Sequence, residues 1–266
     1  MTTTAASSSS QPTPRRRRVW PWVLLVIVVA LVAAGFAVDA LVRSLAERAI
    51  ADRVAAALDV PAGTPVDVAI GGGPVLVQAA TGSLDRVDIG VDDLALGPLT
   101  GDLAIVAQGV PLDTEAATRE LTVDYAVPAT ALAAVAPETS GVTIDSVTLD
   151  GAEIVADGSI AIFGRSLELG IGLTPSASEG DLVFTPSSIR IGEETVSADD
   201  VRDDPVLGGV ADALLQPRAM CIADALPAAL TLTRVAVEGD ELVATLDGSG
   251  AALGGSAFQQ KGTCAV

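Results

Sequence analysis

The sequence contains no histidine and no asparagine, and its single lysine is Lys261. Without histidine no Ser-His-Asp triad can assemble, and the G-x-S-x-G turn that presents a nucleophilic serine is absent as well. A Ser-Lys pair would have to recruit Lys261, beside Cys264, a poor place to pre-organise a nucleophile. Aromatic residues make up only 3% of the 266, so the ring platforms on which sugars stack are scarce. Carboxylates are plentiful, and composition alone leaves a glycosidase-like acid/base pair open as a minor alternative. Cysteine occurs twice, at Cys221 and Cys264, with no C-x-x-C spacing. An even pair in an oxidising compartment bonds, so a structural disulfide is expected. Neither a metal nor a cofactor is.

Positive charge is scarce and unevenly placed. Arg15 to Arg18 form one basic run, no acidic residue precedes Asp39, and the formal net charge is −19. With that run set aside, 34 acidic residues face 11 basic ones. Such a body repels the phosphate backbone that basic surfaces attract, which argues against nucleic acid as a partner.

What the chain does have is one long apolar run. Val19 to Val38, "VWPWVLLVIVVALVAAGFAV", carries no charge; as a helix it spans about 30 Å, the thickness of a bilayer core. Trp20 and Trp22 stand where indole rings favour the membrane interface, and the arginines before them favour the cytoplasmic side. A retained single-pass anchor is the preferred reading. A cleaved signal peptide competes, with Ala33, Ala34 and Gly35 as its small residues, but its apolar region is normally shorter. The expected organisation is a disordered cytoplasmic tail over 1–18, a transmembrane helix over 19–38 and an exported domain over 39–266.

In the exported part, Leu41–Leu58 repeats apolar residues at helical spacing, with Leu41, Leu45, Ala49, Val54 and Leu58 expected to face a sheet and Arg43, Glu47 and Arg48 to face solvent. Pro61 and Gly63 end that helix. The period then falls to two. Val87, Ile89 and Val91 alternate with polar residues or glycine, as do Leu121, Val123, Tyr125 and Val127, and then Leu167, Leu169, Ile171 and Leu173. A hairpin is expected to turn at Glu238-Gly239-Asp240. Short helices are expected at Pro128–Ala136 and Pro205–Pro217. No linker rich in glycine or serine divides the region, so one domain is expected.

The stretch "AIGGGPVLVQAATGSL", Ala69 to Leu84, could suggest a phosphate loop. It lacks the lysine of G-x-x-x-x-G-K-[ST] and does not fit G-x-G-x-x-G opening a helix. The glycines and Pro74 read as a turn setting an apolar segment against the sheet. The acidic doublets, densest in "SADDVRDDP" at Ser197–Pro205, do not fit a calcium loop and read as a solvated surface or a helix start.

The stretch "VDVAIGGGPVLVQAATGSLDRVDIGVDDLALGPLTGDLAIVAQGV" resembles the signature of the actinobacterial LmeA-family phospholipid-binding proteins. The family's glycine, proline, apolar segment, second glycine, alternating strand and closing Gly-Val fall here on Gly73, Pro74, Val75–Val77, Gly82, Val87–Val91 and Gly109-Val110. The likeness continues through "LTVDYAVPATALAAVA", "LVFTPSSIRIGEETVSADDV" and "LPAALTLTRVAVEGDELVATLDG", covering roughly Leu41 to Gly250. Gly73 stands where the family usually has a large apolar or aromatic side chain. The resemblance implies an α+β fold, an elongated, curved antiparallel sheet wrapped over a few helices, as in tubular lipid-binding domains. It also implies binding of phospholipid, including phosphoinositide-type lipid, in the cell envelope, and a link to lipoglycan assembly.

Holding acyl chains needs an apolar groove rather than reactive groups, in agreement with the residues that are missing. The expected role is therefore non-catalytic binding, extending to transfer, of phospholipid. Pro74, Val75, Leu76 and Val77 are the candidate lipid contacts, and Arg86, Arg119, Arg165 and Arg190 candidate head-group contacts. A purely structural envelope domain is the alternative, because an alternating strand looks alike whether it meets a helix or an acyl chain.

Overall fold

A computed structural model of the chain describes residues 20–264 except 59, 62, 135–141, 163–164, 193 and 204–214, with the backbone alone at 20–24, 142–143, 160–162, 165–167 and 191. The chain forms two units, Met1–Leu41 and Val42–Val266. Helix α1 (Trp20–Ala57) contributes to both and runs for 38 residues. Pro21 sits in its first turn, where a missing N–H costs nothing, and no other proline follows before Pro61. Between Leu25 and Val38 the side chains are exposed all round. Mean hydropathy reaches 2.7 over an 18-residue window, so the helix is long and apolar enough to cross a membrane. A retained anchor and a signal segment both have this character.

In the second unit, two antiparallel sheets follow. The first contains β1 (Val66–Gly71), β2 (Ser83–Leu96), β3 (Leu99–Pro111), β4 (Glu120–Pro128), β11 (Thr231–Glu238) and β12 (Glu241–Asp247), in the order β1-β2-β3-β4-β12-β11. The second runs β10 (Arg218–Met220), β8 (Asp181–Ile191), β7 (Arg165–Ser178), β6 (Glu153–Ile162) and β5 (Val142–Asp150), with β9 (Glu194–Ser197) also on β8. The strands are antiparallel as expected and fall into two sheets because the β11–β12 hairpin returns to pair with β4. That edge is then closed to β5. Among the described residues four short helices complete the unit: α2 (Val75–Thr81), α3 (Ala129–Ala134), α4 (Ala198–Asp203) and α5 (Ser256–Gln259).

The period-two segments behave as their alternation requires. Ile70, Val87, Ala107 and Leu121 are successive cross-strand partners on one face of the first sheet, and all four are buried. Val91, Leu103, Tyr125 and Val127 lie in the same core. The hairpin turns at Glu238–Glu241 with Gly239 at positive φ, and α3 occupies the segment expected to be helical after β4. The helix expected at Pro205–Pro217 falls largely outside the described residues. Ser197 caps the start of α4: Asp200 N–H donates to Ser197 Oγ at 3.1 Å, and that hydroxyl donates to the Asp200 carboxylate at 2.7 Å. The acidic doublet at Asp199-Asp200 therefore opens a helix.

The buried face of α1 differs from the expected one. Val42, Ala46, Ile50 and Leu58 pack on the core, while Leu41 is 61% and Leu45 55% exposed. Arg43 and Glu47, expected on the solvent side, set this rotation. β1 is an edge strand, and the Ile70 carbonyl accepts from Arg43 Nη1 while the Ile70 N–H donates to Glu47 Oε1 at 3.1 Å. Capping an open edge with two polar side chains outweighs burying Leu45, since unpaired backbone groups on an edge are costly or sticky.

Cys221 and Cys264 are joined in a disulfide, Cα to Cα 5.8 Å. It ties β10's exit to the final segment, which also pairs with Pro227 through Lys261.

Candidate functional site

The glycine turn is built by its neighbours' side chains. Gly72 has φ of +86°, and a Cβ there would lie 2.5 Å from an Asp85 carboxylate oxygen, so only glycine fits. Gly73 N–H points at that carboxylate at 3.5 Å. Gln78, in α2 and only 4% exposed, donates from Nε2 to the Gly71 carbonyl at 3.0 Å and the Gly73 carbonyl at 2.8 Å, and its Oε1 accepts from Asp85 N–H at 2.7 Å. Arg43 Nη2 adds a second donor to the Gly73 carbonyl at 2.9 Å. The turn thus presents carbonyls bound to its own chain and an adjacent carboxylate, an arrangement that repels a phosphate. It is a structural turn.

The turn leads through Pro74, which precedes the first residue of α2, into Val75, Leu76 and Val77. Val75 is 3% exposed and joins the core of the first sheet. Leu76 and Val77 face outward at 43% and 58% exposure. The four candidates are thus contiguous in chain but divided between core and surface.

The candidate head-group arginines are scattered. Arg86 pairs with Asp88 at 2.6 Å, and the hydrogen bond to that carboxylate raises its pKa further. Arg190 pairs with Asp157 at 3.0 Å in the second sheet. Arg119 is exposed at the start of β4, and the Arg165 side chain lies outside the described residues.

The second sheet has a sharper division of faces than its sequence suggested. Val147, Ala156, Ile171 and Ile189 are successive cross-strand partners, and Leu149, Ile154 and Leu173 form the adjoining row. Paired residues of an antiparallel sheet share a face, so these side chains form one apolar lattice across β5 to β8. Ile154 is buried, Ile189 packs with Val201 near Ala198 and Leu215, and Ile171 at the centre remains 37% exposed. The other face carries polar links around a buried Val155. Arg190 reaches Asp157, and Ser188 Oγ donates to Glu153 at 3.0 Å. These links cross directly over Gly170 and Gly172, where a Cβ would collide with Asp157, Ser188 and Glu153. Gly-x-Gly in β7 therefore makes room for a polar lacing, a signal that alternation analysis passes over.

A cavity of about 310 Å³ opens beside this lacing, lined by Asp145, Asp157, Glu168 and Arg190 among others. A second, of about 340 Å³, lies by Asp93, Thr100, Asp102, Pro128 and Thr130. The first is mainly polar-lined and the second mixed, and both are at the small end of ligand cavities. Tyr125, the single tyrosine, is buried and donates from Oη to the Leu94 and Leu99 carbonyls at 2.9 and 3.1 Å. Burial pushes its pKa up.

An antiparallel α+β domain with one apolar sheet lattice, attached to a long apolar helix, has the parts of a lipid-holding protein. The chain matches the LmeA-like phospholipid-binding family over residues 37–247 and belongs to that family. No curated protein and no solved structure matches it.

Proposed function

We propose that the chain holds a phospholipid without making or breaking a bond in it. Family membership supports phospholipid binding in general; the observation that carries the further reading is the apolar lattice of the second sheet centred on Ile171. In this reading acyl chains lie along that lattice, where each buried methylene contributes about 0.8 kcal/mol. No reactive group is then required, consistent with the absent histidine and remote lysine.

The placement proposed is a membrane-anchored domain outside the cytoplasm. α1 supplies the anchor, Arg15–Arg18 stay cytoplasmic, and the Cys221–Cys264 bond suits an oxidising compartment. The resemblance extends the proposal to transfer of the lipid, to anionic phosphoinositide-type head groups and to support of lipoglycan assembly in an actinobacterial envelope. One observation favours the purely structural alternative: the two cavities described above are small, and neither is mainly apolar in its named lining, which includes Asp93, Asp102, Asp145 and Asp157.

Full-length protein purified in mild detergent and subjected to lipid extraction and mass spectrometry separates the two. Co-purifying phospholipid, depleted in Ile171→Asp and retained in Leu96→Asp, is the expected result. Folded wild type that carries no lipid and takes none from vesicles refutes the lipid reading. A reporter fused after Val266 tests the orientation; activity confined to the cytoplasm refutes it.

A further inference from the structure

One end of the first sheet differs from the other. Registers place the end of β1, the start of β2, the end of β3, the start of β4 and the end of β12 together. The segments there expose large apolar side chains: Leu76 at 43% and Val77 at 58% in α2, Leu112 at 50% after β3, and Leu253 at 40% after β12. Hydrogen bonds join the three segments into one rim. Leu112 N–H donates to the Gly82 carbonyl at the end of α2 at 2.9 Å, and Gly254 N–H donates to the Thr114 carbonyl at 2.7 Å. The bridge between Ala117 and Ala252 fixes the same two loops. At the opposite end the described strand ends and turns carry Asp93, Asp102, Glu238, Asp240 and Glu241, with Leu96 as a single exposed leucine among them.

The chain itself says what the apolar rim faces. The uncharged run ends at Val38, and five residues later Arg43 is bonded to the Gly73 carbonyl, immediately before Pro74 and α2. Five residues reach at most about 18 Å even when fully extended. Arg43 is thus fixed at the end of the sheet that carries the apolar loops, five residues along the chain from the end of the uncharged run. Exposed apolar clusters of this kind mark interaction surfaces, and side chains of the leucine and valine type enter the headgroup–acyl boundary readily.

We propose that the rim of Leu76, Val77, Leu112 and Leu253 rests on the surface of a phospholipid bilayer, the same bilayer that α1 crosses. The proposal rests on α1 as a retained anchor; it is independent of whether the second sheet holds a lipid. Asp113 and Glu115 lie in the rim's β3–β4 loop, and Glu115 N–H donates to the Asp113 carboxylate at 3.1 Å. Carboxylates at this edge fit a zwitterionic headgroup layer better than an anionic one.

The test uses the full chain in phosphatidylcholine nanodiscs. Leu76→Cys, Leu112→Cys, Leu253→Cys and, at the far end, Leu96→Cys are labelled one at a time with an environment-sensitive fluorophore, the native cysteines being bonded to each other. All four positions are exposed, so unchanged circular-dichroism melting curves establish that each variant is folded. Rim labels are expected to shift to the blue and to be quenched by spin-labelled lipid several-fold more than the label at Leu96→Cys. Equal access of all four to aqueous iodide overturns the proposal. Protection of the rim labels that persists in detergent and is lost on dilution overturns it in favour of a second copy. Protease protection reports on α1 separately: discs that contain α1 with aqueous rim labels refute the rim alone, whereas failure of α1 to integrate refutes the anchor and the rim together. Lipid extraction from the same samples reads the second-sheet reading independently.

Discussion

Gln78 offers the most direct test of how the glycine turn is held. Its amide satisfies three backbone groups, the carbonyls of Gly71 and Gly73 and the N–H of Asp85. Gln78→Leu preserves volume and removes all three bonds. The Gly73 carbonyl keeps Arg43, while Gly71 O and Asp85 N lose the Gln78 partner. Each buried orphan costs about 1–3 kcal/mol, and the leucine recovers part of this by apolar burial, leaving a loss of about 3 kcal/mol. In a domain of this size that lowers Tm by about 6–12 °C. Circular-dichroism melting of the full chain in detergent measures it, with Val77→Ala on the exposed side of α2 as a control expected within about 0.5 kcal/mol of wild type. A Gln78→Leu protein melting within about 2 °C of wild type would falsify the assignment.

Gln78→Glu adds a sign. The new carboxyl faces two carbonyl oxygens and lies near Asp85, so its ionised form is disfavoured in the fold and its folded pKa rises above the unfolded value of about 4.3. The folded state then binds more protons, and stability relative to wild type falls as pH rises through that window. The variant should be closest to wild type below about pH 4 and worst near neutrality. The opposite trend would remove Gln78 from the turn.

Three further outcomes are expected. Replacing both Cys221 and Cys264 with serine opens a loop with a sequence separation of 43 residues and should cost about 4 kcal/mol in the chain-entropy model; an unchanged unfolding midpoint in urea would show that the bond does not constrain the chain. Tyr125 should titrate above the ordinary value of about 10 when followed by ultraviolet absorbance, and because the folded state holds its proton more tightly, stability should decline as pH rises past that value; a normal midpoint in folded protein would contradict its burial. Ile171→Asp should lower lipid recovered per mole of protein while leaving a cooperative melting transition of the domain that holds both sheets; equal recovery would disconnect the second-sheet lattice from lipid.

Strand content was legible wherever alternation was strict. Leu121, Val123, Tyr125 and Val127 were readable as one face because nothing interrupts their period of two, and all four are buried. The face of α1 was misread for a physical reason: apolar spacing alone offered two overlapping stripes, Leu41/Leu45/Ala49 and Val42/Ala46/Ile50. The choice between them was made by Arg43 and Glu47 at the edge of β1. That edge is a tertiary fact with no local signal. The same holds for Gln78, which looks like an ordinary polar residue of a short helix until the turn it stitches is seen. The division into two sheets depended on the β11–β12 hairpin returning over a hundred residues to pair with β4, and a separation of that size leaves no mark on local periodicity.

The two sheets have different burdens, and their side chains show it. The first is closed by Val42, Ala46 and Ile50 of α1 and reaches the limit of burial, with Val91 and Leu94 at 1% exposure. In the second, the described residues bury Ile154 but leave Ile171 in the middle of the apolar face at 37%. A sheet serving only as scaffold gains from covering its central isoleucine, at about 25 cal/mol per Å² of apolar surface. Meanwhile its polar face is knit tightly, with Asp157, Arg190, Ser188 and Glu153 laid over two glycines that forgo side chains to admit them. Those links fix β6, β7 and β8 from behind, so the register of the apolar face does not depend on what packs in front of it. A surface braced from its polar side in this way can keep its shape without a close-packed layer over Ile171, which is what the proposed holding of acyl chains on that face requires.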